Sequence, residues 1–257
     1  MVENLREILL GVLTAVLTAA LGWTGRTFLW RRKLRRKQRF FGLPDESACL
    51  LVVNRHASAP SDHSVNRRDV YALLELSAVI KECGAHAEFV SHDAARQGFG
   101  ERTEFCIGGP TSNRRTAAHL QALLPGVRVN TEHGLGPDGG AFTVGSERYR
   151  YEDGLREHVL LARLTAGRNG GTRPVFLICG QSAITNQAAA RHLARNYAQL
   201  ARKHGTDRSF CLVLKVVNSQ AYGPDVVEQV ADVSSAALSP LPHAAPNPRT
   251  TERNPAS

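Results

Sequence analysis

The sequence predicts an α/β domain: a mostly parallel sheet layered with helices, with an inserted β-hairpin and one N-terminal transmembrane helix ahead of it. Three observations carry this reading. Apolar runs without polar alternation (ACLLVV over 48–53, FCI over 105–107, VFLIC over 175–179, SFCLVLKVV over 209–217) have the composition of strands covered on both faces. Stretches of helical periodicity separate most of them, as the crossovers of a parallel sheet require. Residues 8–30 form a nearly unbroken apolar stretch in front of everything else.

That first stretch, Ile8 to Trp30, would span roughly 35 Å as a helix, enough for a hydrocarbon core of about 30 Å. Arg26 lies near its end, within snorkelling reach of the headgroups, and Trp23 and Trp30 suit the interface. The formal charge is +9, but Arg31, Arg32, Lys33, Arg35, Arg36, Lys37 and Arg39 supply +7 of it. Arg6 and Arg26 balance Glu3 and Glu7, so the rest of the chain carries only +2. The basic pI therefore marks a stop-transfer flank able to contact anionic lipid, and no nucleic-acid partner is expected. Because the positive charges follow the helix, the positive-inside rule places the carboxyl-terminal bulk in the cytoplasm. The acidic start argues against a cleaved signal peptide. The expected location is the cell membrane, single-pass.

The predicted organisation is a transmembrane helix over 1–30, a basic juxtamembrane linker over 31–45, the α/β domain over 46–235 and a disordered Pro-rich tail over 236–257. The five cysteines are widely spaced with no Cys-x-x-Cys pair, which fits a reducing compartment and gives no zinc framework.

Within the domain, Ala48–Val53 reads as a first strand, followed by a polar loop over 54–66. Arg67–Cys83 has one apolar helical face and ends at Gly84. Ala85–Val90 is a second strand. Phe105–Ile107 is a third, broken by Gly108-Gly109-Pro110. Ser112 or Asn113 then caps a helix carrying Ala117, Ala118 and Leu120. Val127–Val129 is a short strand candidate, and residues 131–140 form a glycine-rich loop. Gly145-Ser146 sits between two alternating runs, the mark of a β-hairpin. His158–Leu164 and Val175–Cys179 read as strands, Ala188–His204 as a long helix closed by Gly205, Ser209–Val217 as the last strong strand, and Asp225–Val233 as a short helix.

Two strand-to-helix turns match each other. The first reads Ile107-Gly108-Gly109, then Ser112-Asn113, alanines and His119-Leu120. The second reads Cys179-Gly180-Gln181-Ser182, then Thr185-Asn186, alanines and His192-Leu193. Each leaves free backbone N–H groups at a positive helix end, a seat for an anion or polar ligand. Ligands of open α/β sheets bind at such carboxyl ends of strands. The expected ligand-binding residues are Gly108, Gly109, Ser112, Asn113, Gly180, Gln181, Ser182, Thr185 and Asn186, with Asp93 where a ribose-binding acid often stands. Every α/β protein also needs glycine and a cap at these turns, so a purely structural role stays open. No phosphate-loop Gly-Lys-Ser/Thr and no Gly-x-Gly-x-x-Gly follows the first strand, which disfavours a classical dinucleotide enzyme; no cofactor is specified.

The strand-Gly-Gly-Pro-x-x-Asn unit, the hairpin, and the later glycine turn with its alanine-rich helix resemble uncharacterised prokaryotic membrane-anchored Rossmann-like proteins, over roughly residues 46–220. The resemblance implies a Rossmann-like sheet and carries no particular reaction. In that pattern the second turn usually reads Gly-Thr before the alanines; this chain has Thr185-Asn186.

Catalytic candidates are scattered. His56, Asp62 and His63 lie in the first loop, His92-Asp93 after the second strand, His133 in the glycine-rich loop, and Glu152-Asp153 after the hairpin. Cys106 and Cys179 precede the glycine turns, where burial is the plainer role. No Gly-x-Ser-x-Gly elbow and no metalloprotease helix is present. The expected function is a membrane-anchored cytosolic domain that binds a small polar ligand, a nucleotide or phosphorylated metabolite, as sensor or effector. The alternatives are a hydrolase or transferase acting on such a ligand through His56, His92 or Asp93, and a membrane-tethered scaffold using the tail or basic flank.

Overall fold

The fold was analysed in a computed structural model, which describes residues 2–56, 64–94, 98–132, 136, 138–165 and 173–240, with side chains from residue 10. Helix α1 (Val2–Phe41) precedes strand β1 (Ala48–Val53), helix α2 (Arg67–Glu82), β2 (His86–Ser91), β3 (Thr103–Ile107) and α3 (Arg114–Leu123). Then come β4 (Val127–Val129), β5 (Phe142–Val144), β6 (Glu147–Tyr149), β7 (Arg156–Leu164), β8 (Val175–Gly180) and α4 (Ala183–His204). The chain closes with β9 (Phe210–Val217), α5 (Ser219–Tyr222), β10 (Val227–Asp232) and α6 (Ser234–Leu238).

Seven strands form the central sheet in the order β10-β9-β7-β8-β3-β1-β2. β2, β1, β3 and β8 are parallel neighbours; β7 runs antiparallel between β8 and β9, and β10 antiparallel to β9. The sheet is thus mostly parallel in sense, with two reversed strands that the sequence reading did not assign. The cause for β7 is connection length: the ten residues between Leu164 and Val175 are too few for a crossover, so the two strands must meet antiparallel. β4, β5 and β6 form a separate antiparallel sheet, its β5–β6 hairpin turning at Gly145-Ser146.

Alternate residues of the buried strands feed two cores. On one face Leu51, Phe105, Ile107, Phe176, Ile178 and Leu212 pack with α2, α4 and the end of α1. On the other, Val52, Cys106, Leu177, Cys179 and Val213 pack with α3, the small sheet and α6. Ala188, Ala189 and Ala190 are fully buried, so α4 lies close against the sheet. All five cysteines are buried and unpaired.

Three boundaries differ from the sequence reading. The basic segment 31–45 is no linker for most of its length: α1 runs unbroken through it, and Phe40, Phe41 and Leu43 are fully buried. Phe41 packs against Phe105, Phe176 and Tyr197 at ring-centroid separations of 6.3, 5.4 and 5.8 Å. Buried Arg163 donates from Nε to the Phe40 carbonyl (2.9 Å) and holds the Arg208 and Thr206 carbonyls (2.8 and 2.6 Å), capping the helix end with a cation. Of the basic run, Lys37 is buried over the Tyr197 ring and paired with Glu82, while Arg31, Arg32, Lys33, Arg35, Arg36 and Arg39 stay exposed. Residues 10–41 make a helix long and apolar enough to cross a membrane.

The second difference is Asp225–Val233, which holds edge strand β10 rather than a helix. A register shift between Gln229 and Ala231 inserts an extra residue, so the valine spacing imitates a helical period. The third is the tail: α6 packs Ala237 into the core, so the folded part runs past 235, and residues 241–257 lie outside the described residues.

Candidate functional site

The parallel strands end together. The chain passes from β1 outward to β2 and then returns past β1 to β3, so the strand order reverses between β1 and β3. At the carboxyl ends of β1, β3 and β8 lies a crevice of about 540 Å³. Both glycine turns line it. An added Cβ on Gly109 would sit 3.6 Å from the Gly180 carbonyl, so the two turns are immediate neighbours.

From the first turn, Gly109 and Ser112 reach the crevice together with Pro110 and Thr111. Gly108 lies behind them at φ +100°, pressed on Asn54; an added Cβ would meet Asn54 Nδ2 at 2.8 Å. Asn113 is buried and spent on structure: its Oδ1 accepts from the Arg115 and Thr116 amides (2.9 and 3.0 Å), and its Nδ2 donates to the Ile107 carbonyl (2.8 Å).

From the second turn, Gly180, Gln181, Ser182 and Asn186 line the crevice. Thr185 instead closes the helix start, its hydroxyl donating to the Ser182 carbonyl at 2.8 Å. Gln181 ties the surroundings together. Its Oε1 accepts from the His158 amide (2.7 Å), and its Nε2 donates to the Gly140 and Tyr149 carbonyls (3.0 and 2.9 Å). That pins the glycine-rich loop, whose Thr131 and Gly140 form a further wall with Asn130 just before it. Gly134 and His133 lie outside the described residues.

Beneath the turns is a polar network that the sequence reading missed. Asp69, in the first turn of α2, is 2 % exposed. Its Oδ2 accepts from Asn54 Nδ2 at 2.9 Å and its Oδ1 from Asn186 Nδ2 at 2.8 Å. Burial raises its pKa, opposed by those two hydrogen bonds and by the charge of His56. Three helix starts open on the crevice: Asn66 caps α2, Thr111 and Ser112 precede α3, and Ser182 begins α4. Asn66 Oδ1 accepts from the Arg68 amide at 2.9 Å and so caps α2. A polar residue directly after the apolar run of β1 was the available signal for Asn54. Asp69 offered none, since an acid in a first turn reads as an ordinary response to the dipole.

The catalytic candidates separate clearly. His56 lines the crevice; Asp62 and His63 fall outside the described residues. Asp93 is away from it: exposed in the turn after β2, it accepts from Ser91 Oγ at 2.5 Å, the contact that chiefly lowers its pKa. His92 is buried behind the end of β1, its amide donating to the Val53 carbonyl at 3.1 Å. Cys106 and Cys179 are fully buried, and burial pushes the Cys179 thiol up to about 12, the setting of a core thiol. Glu152 pairs with Arg156, and Asp153 accepts from the Tyr151 hydroxyl, both as turn contacts.

Among the described residues one cluster has metal-ligating types: Glu104, Cys106 and His119, all buried, with donor atoms within 4.8 Å of one another. The carboxylate is already committed. Arg115 grips both Glu104 oxygens (2.8 and 2.9 Å), and His119 Nε2 and Cys106 Sγ each meet Oε1 at 2.9 Å. This is a closed ion pair tying α3 to β3. No family model, curated protein or solved structure matches the chain.

Proposed function

We propose that the chain is a membrane-anchored cytosolic domain that binds a small polar anion, of the nucleotide or phosphorylated-metabolite class, as a sensor or effector. The carrying observation is the convergence of two glycine turns and three helix starts on one crevice at the carboxyl ends of β1, β3 and β8. Backbone N–H groups at helix starts favour anions, and the reversal of strand order beside the crevice is where doubly wound sheets hold ligands. The four parallel strands support a Rossmann-like reading, with the β5–β6 hairpin as an insertion. The exposed arginines after the apolar stretch of α1 support a cytoplasmic domain and a lipid-facing flank.

The test is thermal melting of the full-length protein in detergent against a panel of nucleotides and sugar phosphates. A ligand at a hundredfold excess over its Kd stabilises by about 2.7 kcal/mol, a shift of several degrees. A panel that moves the melting temperature nowhere overturns the proposal.

An enzymatic version draws on one further observation: His56 lines the same crevice. An imidazole there suits proton transfer during hydrolysis or group transfer. In that version His56→Ala abolishes turnover of the bound ligand while binding survives. Turnover unchanged by His56→Ala leaves binding as the whole function.

A further inference from the structure

Apart from the crevice, a second hollow of about 530 Å³ opens between the end of β6 and the start of β7. Ser146, Arg148, Tyr149, Arg150, Arg156 and His158 line it. Strand alternation builds its basic walls: Arg148 and Arg150 stand two residues apart on either side of buried Tyr149, and Arg156 and His158 stand two apart on β7. The walls are joined where His158 Nδ1 donates to the Arg150 carbonyl at 3.1 Å. Gln181, part of the crevice lining, holds the His158 amide and the Tyr149 carbonyl, so the two hollows stand back to back.

The guanidinium groups have donors to spare. Arg148 Nη1 and Arg150 Nε share one carboxylate, that of Asp138, at 2.5 and 2.9 Å. Arg156 meets Glu152 through Nη2, at 3.2 Å. Two of the three nitrogens on each side chain therefore meet no acceptor among the described residues. All three side chains are more than half exposed, so these donors are open to a ligand. Buried His158 carries the same sign inward. It lies directly opposite Lys215 in the β7–β9 ladder, an arrangement of two basic residues that the ladder itself does not favour. Burial lowers its pKa, and the charges that add to this, Arg156 and Lys215, are both cations. Around the hollow the cations Arg148, Arg150, Arg156 and Lys215 thus outnumber their carboxylates, Asp138, Glu152 and Glu228.

These donors select the ligand. Guanidinium forks match phosphate oxygens, and each wall has one carboxylate to displace, Asp138 beside β6 and Glu152 beside β7. The ligand must bring negative charge to both walls, which adjacent phosphate groups do better than one. No aliphatic side chain lines the hollow, so nothing there seats an acyl chain. Gly42, just beyond α1, sits against Pro174 and Thr103, at the amino ends of β8 and β3. Val159, next to His158, pairs instead with Gly180 at the carboxyl end of β8. The hollow therefore lies at the end of the sheet away from the proposed anchor, on the side of soluble ligands.

We propose that this hollow is a second binding site, for a water-soluble diphosphate group, gripped by Arg148 and Arg150 from one wall and Arg156 from the other. The experiment is calorimetric titration of the full-length protein, in nanodiscs of neutral lipid at about 0.15 M salt, with orthophosphate and pyrophosphate. Pyrophosphate is expected to bind roughly tenfold tighter than orthophosphate or better. Arg148→Gln with Arg150→Gln is expected to abolish the difference. Arg148→Lys with Arg150→Lys keeps the charge but loses the fork, and is expected to weaken pyrophosphate roughly fivefold. Arg31→Gln with Arg32→Gln, on the basic flank of α1, should leave it unchanged within about twofold. Melting temperatures without ligand report the fold of each variant. Should a cleft variant not fold, phenylglyoxal labelling of the wild-type protein decides: pyrophosphate must protect Arg148, Arg150 and Arg156 and leave exposed Arg202 reactive.

Equal binding of the two anions, or no binding of pyrophosphate, overturns the proposal. So does a lysine variant that binds as the wild type does, since charge alone would then suffice, and so does a loss confined to the flank variant. Pentaglutamate binding more tightly than pyrophosphate would make an acidic protein segment the occupant, against the proposal. Nanodiscs carrying phosphatidylinositol bisphosphate form the last arm: displacement of pyrophosphate by that headgroup at lower concentration than by free inositol trisphosphate would place the source in the bilayer, and the proposal fails.

Discussion

Glu104 is a carboxylate that burial alone would neutralise, yet hydrogen bonds from His119 and Arg115 overcome that cost and hold its pKa at about 2 against an ordinary 4.5. A pKa lowered on folding gives stability that is complete above the unfolded value and is lost as the pH falls through the folded one. The window here runs from about 4.5 down to about 2, and the shift corresponds to roughly 3 kcal/mol. Glu104→Gln is therefore expected to melt well below the wild-type protein at pH 7, because it strands Arg115 and His119 around a neutral group. The gap should close as both are titrated toward pH 2.5. A wild-type melting curve that runs parallel to the variant's across that range removes Glu104 as the source. The same carboxylate ties α3 to the sheet: Arg115, in the helix's first turn beside the Asn113 cap, is clamped to β3.

At the scale of elements, the deepest change from the sequence reading is the end of α1. Gly42 and Pro44 advertise a linker, and the charges of 31–39 advertise a solvated flank. What the pattern does not display is that the two phenylalanines between them enter the core from below the sheet. Phe41→Ala is expected to cost about 3–5 kcal/mol, as for a buried aromatic side chain, whereas a linker phenylalanine would cost almost nothing. Thermal melting decides between the two. Elements defined by their own residues were legible in advance: the four buried apolar strands, the amphipathic α2, the Gly145-Ser146 hairpin and both strand-glycine-helix turns. Elements defined by partners were not. β10 is a strand because β9 offers it an edge, and its bulge disguised the alternation. β7 is antiparallel because a short connection allows nothing else. The site divides the same way. Gly109, Ser112, Gly180, Gln181, Ser182 and Asn186 belong to turns that announce themselves, while Asn54 and Asp69 matter only because β1 and α2 arrive beside those turns.

For the whole molecule, the relation between anchor and crevice is the decisive geometry. β1 is six residues long, so its two ends lie roughly 20 Å apart at about 3.3 Å per residue. The helical turns from Arg31 to Phe41 add roughly 16 Å between the apolar stretch and the domain. At about 0.15 M salt the Debye length is near 8 Å, so headgroup charge is screened several times over before it reaches the crevice mouth. If α1 anchors the chain as proposed, the exposed arginines of the flank sit at the bilayer and hold anionic lipid there. Lipid charge should therefore strengthen membrane association without altering the ligand site. The expected result is that the tightest-binding phosphate ester of the panel has the same Kd, within twofold, in nanodiscs of neutral and of strongly anionic lipid at physiological salt. A weakening of fivefold or more on anionic lipid would mean that the crevice faces the headgroups. The domain would then have to lie against the bilayer on its carboxyl-end rim, an arrangement incompatible with Phe40 and Phe41 entering the core at the opposite end of the strands.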